Sequence, residues 1–319
     1  MKKYPRIVFI GSTFFSFFSL KKLYIKKYNI VGIITNPNPP KNKKRISIDY
    51  IKQYALKNHI PILQPKNLID PFFLKILKTW KADIQIVVAF RFLPKVVWNY
   101  PKMGTINLHA SLLPQYKGAA PIHWAIINGE NITGLTTFFI NNKIDSGKII
   151  FQKKIKIKKN ETYGELENKL KKISIFLIIK TLKGLIKKTI QPINQKNIHS
   201  SLLKYAPKIS TNYCKIDWNT PYIKDIYNKI RGLSPHPTAW TLLFFNKFKF
   251  VRFKIFFVKI IKKIHKFPIG LVFFSKKEMK ISVNEGFVSI IEGQIEGKKK
   301  MNIKNIINGF KIKKNLFVQ

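Results

Sequence analysis

Two neighbouring stretches decide the fold: Ile84–Phe90 reads IQIVVAF and Thr105–Ala110 reads TINLHA. The first is apolar at nearly every position, the pattern of a strand buried on both faces of a parallel sheet. The second is strand-like but carries polar residues two apart. Working outward toward the amino terminus, RIVFI at Arg6–Ile10 is a short β-branched run ending in Gly-Ser, followed by a helix-length segment to about Lys27. IVGIIT at Ile30–Thr35 reads as a strand, Asn36–Arg45 as a Pro/Lys/Asn loop, about Ser47–Asn58 as a helix, and IPILQP around Ile62 as a strand. Toward the carboxyl terminus, Pro121–Asn128 reads as a helix with Pro in its first turn. LTTFFI from Leu135 and KIIFQKKIKI from Lys148 read as strands, and Thr162–Lys187 as a long amphipathic helix. Strands alternating with helices argue for an open, mostly parallel α/β sheet.

Beyond residue 190 the pattern changes. Residues 191–206 lose periodicity and carry Pro192 with several Asn, Gln and Ser, the composition of a linker. The division is then a first domain over 1–190, a linker over 191–206 and a second domain over 207–319. In the second domain a helix near Tyr222–Ile230 precedes LSPHPTAW, a Pro-punctuated turn. Short alternating strands follow at Phe248–Val258, Gly270–Phe274, Met279–Val283 and Phe287–Ile291. Their spacing predicts a small β-barrel of the OB type.

The chemistry concentrates at Asn107–Gly118, NLHASLLPQYKG, with IDSG following at Ile144–Gly147. Residues two apart on a strand point to one side, so Asn107 and His109 face the same way. They lie at the carboxyl end of a central strand, where open α/β sheets place their ligand crevice. Asp145 ends another strand. A carboxamide, an imidazole and a carboxylate suffice for acyl transfer: an oxyanion donor, an acid/base group and the residue that orients it. FIGSTFF at Phe9–Phe15 has one Gly where a dinucleotide fingerprint needs three, which argues against a nicotinamide cofactor. Gly11 serves either a tight turn or a close ligand approach. No spacing of His, Cys, Asp and Glu suggests a metal site.

Composition sets the remaining bounds. The chain has 319 residues, enough for two domains with their own cores, and is 45% hydrophobic. Its single cysteine, Cys214, excludes an internal disulfide framework and reads as buried and inert. The formal net charge is +46, from 60 Lys and Arg against 14 Asp and Glu. That invites a polyanionic partner. Yet only five of the 60 are Arg, and a surface built to grip phosphate favours Arg forks, so compositional drift is an equal explanation. Met1-Lys2-Lys3 and the apolar run Ile7–Leu20 imitate a signal peptide, but Gly11-Ser12-Thr13 interrupts it and Lys21-Lys22 closes it. No stretch is apolar for the length of a membrane span. The expected setting is cytoplasmic.

NLHASLLPQYKGAAPIHWAI with IDSG resembles the folate-dependent formyltransferases, and so do ADIQIVVAFRFLP, TGLTTFFINNKIDSGKIIFQ, YAPKISTNYCKIDW and IRGLSPHPTAW. The resemblance implies a Rossmann-like sheet domain followed by an OB-like barrel, with Asn107, His109 and Asp145 catalytic. It implies 10-formyltetrahydrofolate as formyl donor and no metal. The folate would lie against Phe90, Arg91, Phe92 and Leu93, and against Ser111, Leu112, Leu113 and Pro114; for Leu112 and Leu113 core packing is an equal reading. The GAAPIHWAI extension and the second domain imply initiator Met-tRNA as acceptor, with Lys41, Lys43, Lys44 and Arg45 on the tRNA and the chain acting as a monomer. His123 is read as structural. The chain departs from the family where a Gly-Thr-Pro-Asp-Phe start becomes Gly11-Ser12-Thr13-Phe14-Phe15. It departs again where a glycine-rich loop becomes Pro40-Lys41-Asn42-Lys43-Lys44-Arg45, putting tRNA affinity rather than catalysis in question. Two other readings stand beside this one: a formyltransferase for a small amine such as a nucleotide sugar, and a nucleic-acid-binding protein without catalysis.

Overall fold

A computed structural model describes residues 5–37, 50–195, 199–245, 250–275, 277–309 and 316–319. They fall into two compact units. One is drawn from Met1–Gly118, Thr133–Ile155 and Glu167–Tyr205, the other from Ala119–Ile132, Lys156–Leu166 and Ala206–Gln319.

The chain opens with β1 (Ile7–Gly11), α1 (Phe14–Ile25), β2 (Ile30–Ile34), α2 (Tyr50–Lys57), β3 (Ile62–Leu63), α3 (Pro71–Thr79), β4 (Ile84–Val88), α4 (Lys95–Trp98) and β5 (Thr105–His109). The short β6 (Lys117–Gly118) and α5 (Pro121–Ile127) precede β7 (Ile132–Phe139), β8 (Ile149–Lys156) and α6 (Tyr163–Ile186). The sheet of the first unit runs β3-β2-β1-β4-β5-β7-β8. Its first five strands are parallel and β7 is antiparallel to β5, the mostly parallel sheet read from the sequence.

Residues of β1 and β4 are buried throughout, as their unbroken apolar runs require. Val8, Ile10, Ile34 and Val87 pack with Phe73, Leu77 and Trp80 of the α3 layer. Hydroxyl pairs tie α6 into this unit: Ser19 to Ser174 at 3.3 Å and Thr137 to Thr181 at 2.8 Å. The sequence reading passes over α3, although its start is marked: the Asp70 carboxylate accepts the Phe73 amide at 2.8 Å and Pro71 fills the first turn. β4 stops at Val88, two residues before the end of the apolar run, because Ala89 takes a left-handed backbone (φ 50°).

The second unit holds β9 (Tyr205–Ala206) in part, then α7 (Ile223–Leu233), β10 (Ala239–Phe244), β11 (Phe250–Lys262), β12 (Leu271–Phe274), β13 (Met279–Val283), β14 (Gly286–Ile295), β15 (Met301–Asn302), α8 (Ile303–Asn308) and β16 (Leu316–Val318). β11-β10-β16-β12-β13-β14 pair in that order and β14 returns to β11, so six strands close a barrel. The expected small barrel is present, with β10 and β16 as strands the sequence reading did not identify. Cys214 lies in its core cluster beside Trp218 and Ile223, and burial pushes its thiol up from the ordinary range, against the opposing pull of Lys229 and Arg252. His123 Nδ1 donates to the Gly232 carbonyl, 2.8 Å away, and the ring stacks on Tyr163 at 3.7 Å, consistent with its structural reading.

On β2, Gly32 lies under the Trp80 ring, where an added Cβ would sit 2.2 Å from Cε3. Because Trp80 is wedged into the core, Gly32→Ala is expected to lower unfolding stability by about 1–3 kcal/mol, measured by denaturant melts.

Candidate active site

The strand order reverses beside β1: β2 and β3 lie on one side of it, β4 and β5 on the other. Open sheets bind ligands outside the carboxyl ends of the strands at such a reversal. Three turns leave that edge: Ser12–Thr13 after β1, Ala89–Leu93 after β4 and Ala110–Pro114 after β5. The Ser12 hydroxyl donates to the Ala89 carbonyl at 3.2 Å, joining the first two. Gly11 resolves into packing, since an added Cβ would lie 2.5 Å from Ser16 Cβ and 2.9 Å from the Val88 oxygen.

His109 is the last residue of β5, opposite Thr136 of β7, and is 7% exposed. Its Nε2 lies 2.8 Å from the Tyr116 carbonyl oxygen. A carbonyl only accepts, so Nε2 carries the proton that it donates and Nδ1 is the nitrogen left for Asp145. Nδ1 faces Asp145, 3.7 Å from Oδ2, a charge contact longer than a hydrogen bond. The same Oδ2 accepts the Gly118 amide at 2.9 Å. The carboxylate is therefore nearly buried yet supplied with a donor and a titratable partner, the condition under which a buried charge is tolerated. Asp145 reaches this position from a left-handed backbone, φ 48°. Gly147 follows it, where an added Cβ would fall 1.6 Å from the Phe139 oxygen.

Asn107 is partly buried on the same side of β5 as His109, and among the described residues its carboxamide has no hydrogen-bond partner. The structure thus brings Asn107, His109 and Asp145 to one edge. Ser111–Pro114 is held from below. The Thr136 hydroxyl donates to the Ser111 carbonyl at 2.6 Å and accepts the Leu113 amide at 3.2 Å. Gln152 Nε2 donates to the Leu113 carbonyl at 2.8 Å and to Thr136 Oγ1 at 3.0 Å. Leu113 packs with Phe138 and Ile149, and Leu112 lies over Gly134, so core packing accounts for both leucines. In the other turn Leu93 and Phe90 join the core cluster, while Phe92 is 61% exposed. The Arg91 guanidinium donates to the carbonyls of Lys66, at 2.9 Å, and Pro65, and so is spent on main chain. Lys41, Lys43, Lys44 and Arg45 lie outside the described residues. Among the described residues no three His, Cys, Asp or Glu gather as metal ligands do, and no helix is long and apolar enough to cross a membrane. Sequence reasoning missed Tyr116, Gly118, Thr136 and Gln152; only YKG, a left-handed turn before Gly, carried a local signal.

A family model described as formyl transferase matches residues 5–182, and one for the formyl transferase C-terminal domain matches 208–311. The chain belongs to the formyl transferase family. The methionyl-tRNA formyltransferase of Bacteroides thetaiotaomicron is 44% identical over 310 residues, covering 96% of each chain. That of Azobacteroides pseudotrichonymphae is 46% identical over 310 residues, covering 95% of each. Among solved structures, HypX from Aquifex aeolicus in complex with tetrahydrofolic acid has a TM-score of 0.65 at 15% identity, covering 95% of this chain and 47% of that one. The N-formyltransferase from Helicobacter canadensis in complex with folinic acid and dTDP-3-aminofucose has a TM-score of 0.61 at 21% identity, covering 93% and 100%. At those identities the two structures speak for the fold alone.

Thr136 is fully buried, holds the turn after β5 through two hydrogen bonds and accepts a third from Gln152. Thr136→Val keeps the shape but strands the Leu113 amide, so a loss of about 1–3 kcal/mol is expected in thermal or urea unfolding.

Proposed function

We infer that this chain moves the formyl group of 10-formyltetrahydrofolate to the α-amine of methionine on initiator tRNA. The observation that carries the acceptor is relatedness: methionyl-tRNA formyltransferases 40–46% identical span nearly the whole chain, second unit included. Two sugar N-formyltransferases among the solved structures are 21 and 22% identical, far below the methionyl-tRNA formyltransferases.

The side chains at the edge of β5 support the chemistry. The amine attacks the formyl carbon, forming the new C–N bond and a tetrahedral oxyanion; collapse breaks the bond to N10, and the proton lost by the amine is returned to N10. Asn107, with its carboxamide unpaired, donates to the oxyanion, and protonated His109 adds a positive charge beside it. Asp145 holds His109 in orientation, and proton transfer runs through the Nδ1 edge or a water. No metal enters this scheme. The pterin fits the turn after β4, where Phe90, Arg91 and Phe92 make no main-chain hydrogen bond to a described residue and so present free donors and acceptors. Ser111–Pro114 serves as its floor, since Thr136 and Gln152 already occupy the polar main-chain groups of Ser111 and Leu113. Lys41, Lys43, Lys44 and Arg45 supply charge for tRNA phosphates without reading bases. The setting assigned is the cytoplasm, with a single chain as the working unit.

The decisive assay compares formyl transfer from 10-formyltetrahydrofolate to Met on initiator tRNA, Met on elongator tRNA and free methionine. Transfer is expected on initiator Met-tRNA. Asn107→Ala is expected to lower kcat by about 10²–10³ and His109→Ala by about 10²–10⁴. No transfer to any tRNA from folded protein that binds folate would move the acceptor to a small amine.

A further inference from the structure

The segment read from sequence as a linker lies against the catalytic pair. Ile193 pairs through both main-chain groups with Ile149, at 2.8 and 2.9 Å, as an isolated antiparallel bridge. Two residues on, Gln195 turns its side chain under the IDSG loop. Its Nε2 donates to the carbonyl of Asp145 at 2.8 Å and to that of Gly147 at 3.0 Å. Both acceptors are carbonyls, so the amide orientation is fixed by chemistry: only the NH2 end can face them. The other end, Oε1, is buried and has no partner among the described residues. Leaving an amide oxygen unsatisfied costs stability, which a side chain selected only for packing would avoid.

The same segment reaches the other half of the pair. Gln115 Nε2 donates to the Leu202 carbonyl at 3.0 Å, and its Oε1 accepts the Lys204 amide at 2.8 Å. Those bonds anchor the turn whose Tyr116 carbonyl holds His109 Nε2. Gln195 therefore braces Asp145 while Gln115 braces the turn that holds His109.

We propose that Gln195 is a positioning residue for formyl transfer, holding the left-handed Asp145 so that its carboxylate stays at His109 Nδ1. Two donated hydrogen bonds straddle that backbone, and without them the loop is free to relax toward an ordinary conformation, carrying Oδ2 away from the imidazole. The proposal rests on the catalytic reading of His109 and Asp145 given above.

The test uses the full chain with Gln195→Ala and Gln195→Glu. For Gln195→Ala, kcat is expected to fall by about 10–100-fold, the scale of a small misplacement, with KM for both substrates within about twofold of wild type. An ionised carboxylate cannot donate, so Gln195→Glu should be at least as slow at neutral pH and recover relative to Gln195→Ala as pH falls and it gains an O–H. A kcat within about twofold of wild type for Gln195→Ala overturns the proposal. So does a fall in which kcat and KM move together while the two variants stay indistinguishable at every pH. If wild type itself transfers nothing, the catalytic reading fails separately, and imidazole NMR of the free protein decides the positioning. His109 signals, identified by their loss in His109→Ala, should move in Gln195→Ala; an unmoved spectrum overturns the proposal.

Discussion

A main-chain carbonyl accepts hydrogen bonds and never donates one, and the candidate site is organised around that asymmetry. The Tyr116 carbonyl claims one nitrogen of His109, so the other nitrogen is left to face Asp145. The rest of the edge follows from keeping three pieces of chain in place: the strand that ends in His109, the turn that presents Tyr116, and the left-handed loop that presents Asp145. β7 supplies Thr136 to hold the turn beginning at Ser111, and β6 supplies the Gly118 amide that caps the carboxylate.

The chain's charge gives this pairing extra weight. With a formal net charge of +46, the surrounding field opposes any further positive charge. A carboxylate shielded from water exerts its strongest local field. Only 14 acidic residues are available, and one of them is kept at 11% side-chain exposure for this place. The net positive field suits a polyanionic acceptor, drawing it in over distance.

What the sequence revealed and what it hid divide along physical lines. β1 and β4 were legible because burial on both faces leaves no polar position to confuse the pattern, and Asn107 and His109 because a strand enforces their common side. β16 was hidden by its length of three residues, which no periodicity can mark. Within the site, Thr136 and Gln152 were invisible for a different reason. Each works through hydrogen bonds to main chain more than 15 residues away, and a hydroxyl or amide on a strand carries no local sign of its partner. The run 191–206 looked like a linker because its residues make irregular contacts; Ile193 and Gln195 make them with β8 and the loop before it.

The unit that contains the barrel is not one stretch of chain: Ala119–Ile132 and Lys156–Leu166 cluster with it rather than with the sheet they interrupt. α5 rests on α7, and Glu161 offers its carbonyl to the buried Arg231 at 3.0 Å. The barrel is therefore packed with segments that lie far before it in the chain. A chain begun at Ala206 would lack α5 and the Glu161 carbonyl, leaving Arg231 with Asn228 as its remaining acceptor among the described residues.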